Sequence, residues 1–265
     1  MAIHFILQSK GGIGKTYIAS LMIQYFKSKN KNVVGIDIDP STPTLSQFED
    51  LKVERVELIK KSGKNNSIIQ RDDFNNFARV IENKAYTNAD FVVDCGASGY
   101  PDVKAFLAGE EILDYFKTLK QPVYFHSILK GGEEKMSTIE EMTDLMRCFP
   151  TVPFIVWLNE FQSDGKVLLD GHPFEDFQVY QEEKNHIIDV IRVPEMNAAC
   201  NVYQQFYSQH KTIRQASKDR LTTLLEQMRL NQYHRTMWAL FDQMTDAVAQ
   251  YEARLAAAET THVDH

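Results

Sequence analysis

An α/β fold, with a mostly parallel central sheet flanked by helices and a helical C-terminal extension, is what this 265-residue chain predicts. Three observations predict it. Short runs of β-branched and aromatic residues alternate with helix-like stretches, the pattern of strands buried on both faces. The first run ends in a glycine cluster that opens a helix. From about residue 202 to 258 the apolar spacing is helical.

In order, the strand-like runs are residues 3–7, 33–38, 91–93, 122–125, 154–158 and 187–193. Residues 17–28 read as the first helix, with Ile18, Leu21, Met22 and Tyr25 on one face. Residues 130–149 read as a later helix. Residues 41–90 are less regular and rich in Lys, Asn and Asp. Near the C-terminus Leu240, Met244, Val248, Tyr251 and Leu255 recur at three- and four-residue steps. Such a stripe packs on the body of the fold or on a dimer partner.

Composition excludes several classes. Lys+Arg 29 against Asp+Glu 36 leaves a net charge of −7, which argues against a surface that coats nucleic acid all over. No run of apolar residues is long enough to span a bilayer. The opening MAIHFILQSKGG has no basic region followed by an apolar core and a cleavage site, so it does not read as a secretory signal. Cys95, Cys148 and Cys200 are widely spaced, which suits reduced thiols, a cytoplasmic setting and no structural zinc.

The strongest motif is Lys10-Gly11-Gly12-Ile13-Gly14-Lys15-Thr16. It departs from G-x-x-x-x-G-K-[ST] because Ser9 stands where the first glycine belongs. The glycines allow backbone N–H groups to turn toward phosphate oxygens, and the following helix points its positive end at the same anion. Lys15 reaches β- and γ-phosphates, and the Thr16 hydroxyl suits Mg²⁺. The candidate nucleotide contacts are Gly11, Gly12, Ile13, Gly14, Lys15, Thr16 and Tyr17. A Rossmann-like P-loop NTPase follows, with residues 1–200 as the ATPase domain and residues 201–265 as a helical part packed on it, one domain overall.

Two strand ends offer carboxylates. Asp37-Ile38-Asp39-Pro40 closes the second run, and Asp94-Cys95-Gly96 closes the third. Both sit where ligands gather, at carboxyl ends of parallel strands. Asp-Pro is also an ordinary turn signal. Asp94 is expected on Mg²⁺ through water, at the end of a Walker B strand, and Gly96 or Gly99 near the γ-phosphate. Cys95 is expected to fill a small buried site. The late strand ends Asn159-Glu160-Phe161-Gln162, without the Lys and Asp of a guanine-reading Asn-Lys-x-Asp, so ATP is favoured over GTP. Asn159 either bonds an adenine edge or caps a turn.

The phosphate motif resembles the deviant Walker A loop of the ParA/MinD superfamily, which also includes nitrogenase iron protein and arsenite-pump ATPases. The resemblance implies that Lys10 is the signature lysine that crosses a dimer interface to the partner's nucleotide. It implies that Asp39 orients the attacking water and that Asp37 supports the metal shell or the loop. Asn159 would contact the base, and Pro194, in Val193-Pro194-Glu195, would wall the adenine ring. The catalytic set is then Lys10, Lys15 and Asp39, and the metal set Thr16, Asp37 and Asp94. The Asp94-Cys95-Gly96-Ala97-Ser98 and Val156-Trp157-Leu158-Asn159 segments are similar to those of TraL/StbB-type proteins of conjugative plasmids. This implies a plasmid ATPase, homodimeric on ATP binding, that supports conjugative transfer or plasmid positioning with a small DNA-binding partner.

Other readings stay open: a plasmid partition ATPase, a dethiobiotin-synthetase-like biosynthetic enzyme, or a nucleotide-gated scaffold that scarcely hydrolyses. An iron–sulphur reductase would need two cluster cysteines at a dimer seam, and Cys148 has no evident match. Within residues 211–235 the basic residues Lys211, Arg214, Lys218, Arg220, Arg229 and Arg235 face only Asp219 and Glu226. With Tyr203, Phe206, Tyr207 and Tyr233 nearby, this stretch suits nonspecific DNA contact or a solvated helix face. The tail, residues 256–265, is small and mildly acidic, unlike a basic membrane anchor.

Overall fold

The computed structural model describes residues 1–57, 60–62, 66–68, 71–85, 87–109, 112–160, 166–169, 171–195, 198–220 and 222–263. Phe161, Gln162 and the last two residues of the tail lie outside them. In chain order the elements are β1 (Ile3–Ile6), α1 (Lys15–Ser28), β2 (Val33–Asp37), β3 (Glu54–Arg55), β4 (Lys60–Ser62), β5 (Asn66–Ile68) and α2 (Arg71–Ala85). Then come β6 (Asp90–Asp94), α3 (Tyr100–Gly109), α4 (Ile112–Thr118), β7 (Val123–Lys130), α5 (Lys135–Cys148), β8 (Phe154–Asn159), β9 (Leu168–Leu169) and β10 (His172–Pro173). The chain ends with α6 (Gln178–Glu183), β11 (Ile187–Val193), α7 (Ala198–Tyr207), α8 (Ile213–Lys218) and α9 (Leu224–Val263).

Seven strands form one sheet in the order β11-β8-β7-β1-β6-β2-β3. Every neighbouring pair is parallel. The expected α/β architecture is therefore present. Two short antiparallel hairpins, β4-β5 and β9-β10, stand apart from the sheet.

Strand alternation divides the core into two layers. In β8, Phe154, Val156 and Leu158 face one side, and Ile155 and Trp157 face the other. The first layer is closed by Phe77, Phe106, Phe116 and Leu145, from α2 to α5. The second is closed by Ile18, Leu21 and Phe26 of α1, Tyr203 of α7, Ile213 of α8, and Leu230, Met237, Phe241 and Met244 of α9. Of the apolar stripe on α9, Leu240, Val248 and Tyr251 lie against this layer, whereas Leu255 is 49% exposed.

Three extents differ from expectation. The strand expected at 122–125 continues to Lys130, because His126 and Ser127 interrupt the apolar run yet are fully buried. His126 can be buried because it is paired: His4 Nδ1 lies 2.9 Å from its Nε2, and the Trp157 indole donates to its Nδ1 at 3.0 Å. Helix α5 starts at Lys135, after a 3-10 turn at Gly132–Glu134. The C-terminal helical stretch is three helices, with His210 (φ 55°) in the first break and a Thr212/Gln215 capping box starting the second helix.

Candidate functional site

The carboxyl ends of β1, β2 and β6 are adjacent in the sheet, and the loops leaving them build one cleft. Its volume is about 480 Å³. Gly12, Gly14, Lys15 and Thr16 line one wall, Asp39, Ser41 and Thr42 a second, and Gly96 and Ser98 a third. Tyr207, from α7, completes it.

The glycine loop leaves β1 and turns directly into α1. Gly14 has φ 103°, and a Cβ there would stand 2.7 Å from the Asn159 amide nitrogen, so both conformation and space require glycine. Helix α1 has no side-chain cap and no acidic residue in its first turn. Its first N–H groups and the positive end of its dipole are thus left for an anion.

Lys15 is 7% exposed, and its ammonium donates to the Lys10 carbonyl at 2.6 Å. Burial lowers its pKa, while Asp94, Glu141 and Asp39 oppose that shift. Glu141, on α5, grips the loop from behind: it accepts from the Ser9 hydroxyl at 2.5 Å and from the Lys10 N–H at 3.3 Å. The Lys10 side chain does not enter the cleft lining. It lies 3.7 Å from Glu134, which also pairs with Lys130 at 2.6 Å.

The acids divide into two kinds. Asp37 is buried; one oxygen accepts from the Asp39 N–H at 3.1 Å and the other from the Ser46 N–H at 2.9 Å. These bonds hold the loop after β2, the loop support expected of Asp37, and burial raises its pKa. Asp39 Oδ1 accepts from the N–H groups of Ser41 and Thr42 at 2.8 and 3.0 Å, an Asx-type turn that fixes the carboxylate at the cleft. The Ser41 and Ser98 hydroxyls meet at 2.7 Å and tie this loop to the one after β6.

Asp94 is buried at the end of β6, and burial pushes its pKa up to about 7, against a hydrogen bond from Thr16. Its Oδ1 has no hydrogen-bond partner among the described residues. An orphaned buried carboxylate oxygen beside a threonine hydroxyl fits a Mg²⁺ shell, in which phosphate oxygens and water supply most ligands. Cys95 is fully buried and burial raises its thiol pKa, as suits a small packing residue.

Asn159 and Pro194, expected on the base side, do not line the cleft. Asn159 is buried and its amide donates to the Ile13 carbonyl at 2.7 Å, bracing the glycine loop from beneath. Ile13 is likewise buried, pointing into the core rather than the cleft. Pro194 lines a separate small cavity with Cys200, Tyr233 and Met237. Gly11 and Tyr17, by contrast, do line the cleft; Tyr17 is largely buried, and its hydroxyl meets that of Tyr233. Sequence reasoning missed Ser41, Thr42 and Glu141, which belong to no motif, and gave no cleft role to Ser98 or Tyr207; the fold brings all five in.

In the basic stretch, Lys211 pairs with Asp219 at 3.0 Å and Arg214 with Asp50 at 2.5 Å. Tyr203 and Tyr233 stack at 4.9 Å inside the core, so these aromatics offer no face to a nucleic-acid base. Among the described residues no helix is long and apolar enough to cross a membrane.

A family model described as the CobQ/CobB/MinD/ParA nucleotide binding domain matches residues 4–240. Two relatives, each Protein TraL of Escherichia coli, are similar over nearly the whole chain. One is 28% identical over 252 residues, covering 93% of this chain and 98% of its own. The other is 27% identical over 233 residues, covering 86% and 92%. Among solved structures, the MinD cell division protein of Aquifex aeolicus aligns with a TM-score of 0.49 at 14% identity, over 90% of this chain and 98% of that one.

Proposed function

We propose that this chain, which belongs to the CobQ/CobB/MinD/ParA nucleotide-binding domain family, is a Mg²⁺-dependent ATPase that closes as a nucleotide-sandwich homodimer and serves plasmid conjugative transfer or plasmid positioning. One observation carries the ATPase reading. A glycine loop with an uncapped helix start, the half-buried Thr16 with buried Asp94 behind it, and the Asp39 carboxylate converge on one cleft. Similarity to the two TraL proteins supports the plasmid role.

On this reading Lys15 exchanges the Lys10 carbonyl for phosphate oxygens. Thr16 and Asp94 would hold Mg²⁺, which when bound neutralises charge on the β- and γ-phosphates. Asp39 keeps Oδ1 on its own loop and offers Oδ2 to the attacking water. Lys10 leaves Glu134 and reaches the partner protomer's nucleotide, adding a cation where charge develops. Binding closes the dimer and hydrolysis reopens it, so the output is a conformational cycle that a DNA-binding partner protein reads.

The test is ATP turnover with Mg²⁺ and with EDTA, alongside light scattering after size exclusion with ATP or ADP. Mg²⁺-dependent hydrolysis and a dimer formed with ATP but not ADP are expected. Hydrolysis by a species that stays monomeric throughout would remove the sandwich from the proposal.

A further inference from the structure

A second cavity, of about 640 Å³, lies between the end of α1, the 3-10 turn at Glu49–Leu51, α8 and α9. That volume is within the range of small-ligand sites, roughly 300–1,000 Å³. It shares no lining residue with the phosphate-loop cleft. Helix α1 begins at one site and ends at the other, about 18 Å apart at 1.5 Å per residue.

The lining is cationic. Lys27, Lys52, Arg214 and Lys218 contribute to it, against the single carboxylate of Asp50. That carboxylate is already engaged, by Arg214 at 2.5 Å and by the Thr212 hydroxyl at 2.9 Å. Lys27 is spent on the carbonyls of Asp50 and Leu51, at 3.3 and 2.7 Å. Lys52 and Lys218 form no ion pair among the described residues. On the remaining wall the His234 and Trp238 rings lie 4.2 Å apart, and the indole N–H is fixed on the Ser28 hydroxyl at 2.7 Å. Both rings are only half-buried.

Two uncommitted ammonium groups beside a fixed aromatic shelf recognise a planar ring that carries an anion. We propose that this cavity binds a mononucleotide-class ligand, a phosphorylated planar ring, with the phosphate at Lys52 and Lys218 and the ring on Trp238 and His234. A concave pocket suits such a small ligand better than a continuous phosphate backbone.

Of the chain's two tryptophans, Trp157 is fully buried and outside the cavity lining, so a ligand there touches Trp238 alone, and a Trp157→Phe background isolates its fluorescence. The experiment titrates AMP into the full-length protein and into its Lys15→Ala variant, with binding also followed by calorimetry. A saturable fluorescence change of equal affinity in both is expected. Lys52→Ala with Lys218→Ala should weaken it about tenfold or more, as the loss of hydrogen bonds to charged groups implies. No saturable change, or affinity indifferent to the two lysines, overturns the proposal. Loss of the signal in Lys15→Ala also overturns it, since AMP was then in the phosphate loop. So does inorganic pyrophosphate binding as tightly as AMP, because the ring then plays no part. Duplex DNA engaging the same lysines while AMP does not would assign the surface to nucleic acid instead.

Discussion

The Asp39 carboxylate occupies the space above Gly96 in which a Cβ would stand: a methyl built there would lie 2.0 Å from Asp39 Cγ and 2.2–2.3 Å from both oxygens. Glycine at 96 is therefore a condition for the position of Asp39. Gly96→Ala should displace the carboxylate while leaving the phosphate loop alone. Turnover is expected to fall by about 10²-fold, the cost of misplacing a positioned group by an ångström. ATP affinity should change little. Steady-state kinetics with equilibrium ATP binding separates the two, and unchanged kcat would detach Asp39 from the reaction.

Removing Asp39 itself goes further. Asp39→Ala should retain ATP and accumulate an ATP-bound dimer, because the cleft keeps its cations and loses only the group that orients water. Size exclusion with ATP checks the dimer, and phosphate release checks the chemistry. Wild-type hydrolysis by Asp39→Ala would contradict the role assigned to it.

With Asp94 in the proposed Mg²⁺ shell, nucleotide binding should depend on pH. Burial raises its pKa from 3.8 to about 7, so the folded apo protein holds a proton there that the unfolded chain releases. Its contribution to stability is full below 3.8 and is lost as pH rises through about 7. On the proposed role, Mg²⁺ binding displaces that proton. Calorimetry of Mg·ATP binding below pH 7, in buffers of different ionisation enthalpy, should register proton release by wild type and less by Asp94→Asn. Equal release by both proteins would refute the assignment.

The His4–His126–Trp157 chain gives the opposite slope in the same pH range. Burial lowers His4 from 6.5 to about 4, and burial with the neighbouring His4 holds His126 well below its ordinary value. The unfolded chain then binds more protons on the acid side, so stability is lost as pH falls below 6.5. His4 alone contributes on the order of 3 kcal/mol by pH 4. Urea unfolding of Asp94→Asn, with and without His4→Gln and His126→Gln, isolates the pair. The added changes should flatten the acid-side loss.

Asn159 tests a support role against base reading. Without its bond to the Ile13 carbonyl the glycine loop loosens, and Asn159→Ala should weaken ATP and GTP alike, by about tenfold for one buried hydrogen bond. A change confined to ATP would return Asn159 to the base.

Much of this site is legible in the sequence because its chemistry is local. Residues 10–16 carry their own turn and helix start, and Asp39 and Asp94 end apolar runs whose strands pair with neighbours. What could not be read depends on partners far along the chain. The polar half of β7 is buried only because His4 and Trp157 satisfy His126. The support that Asn159 gives the Ile13 carbonyl, and the hold of Asp37 on the Ser46 N–H, each depend on a residue outside the motif that carries them. Glu141 reaches Ser9 from 132 residues away, with no motif to announce it. In residues 41–90 edge strand β3 and hairpin β4-β5 have only two or three residues each, too short to carry a period, whereas the helical period of α2 (Arg71–Ala85) was present and went unread.

Equilibrium binding of ATP in the presence of Mg²⁺, to wild type and to Lys15→Ala, probes the glycine-loop pocket most directly. Saturable one-to-one binding by wild type, weakened by at least ~10²-fold when the buried ammonium is removed, is the expected result. Undiminished affinity in Lys15→Ala, or no Mg²⁺-dependent binding by wild type, would place the triphosphate elsewhere or nowhere on this protein.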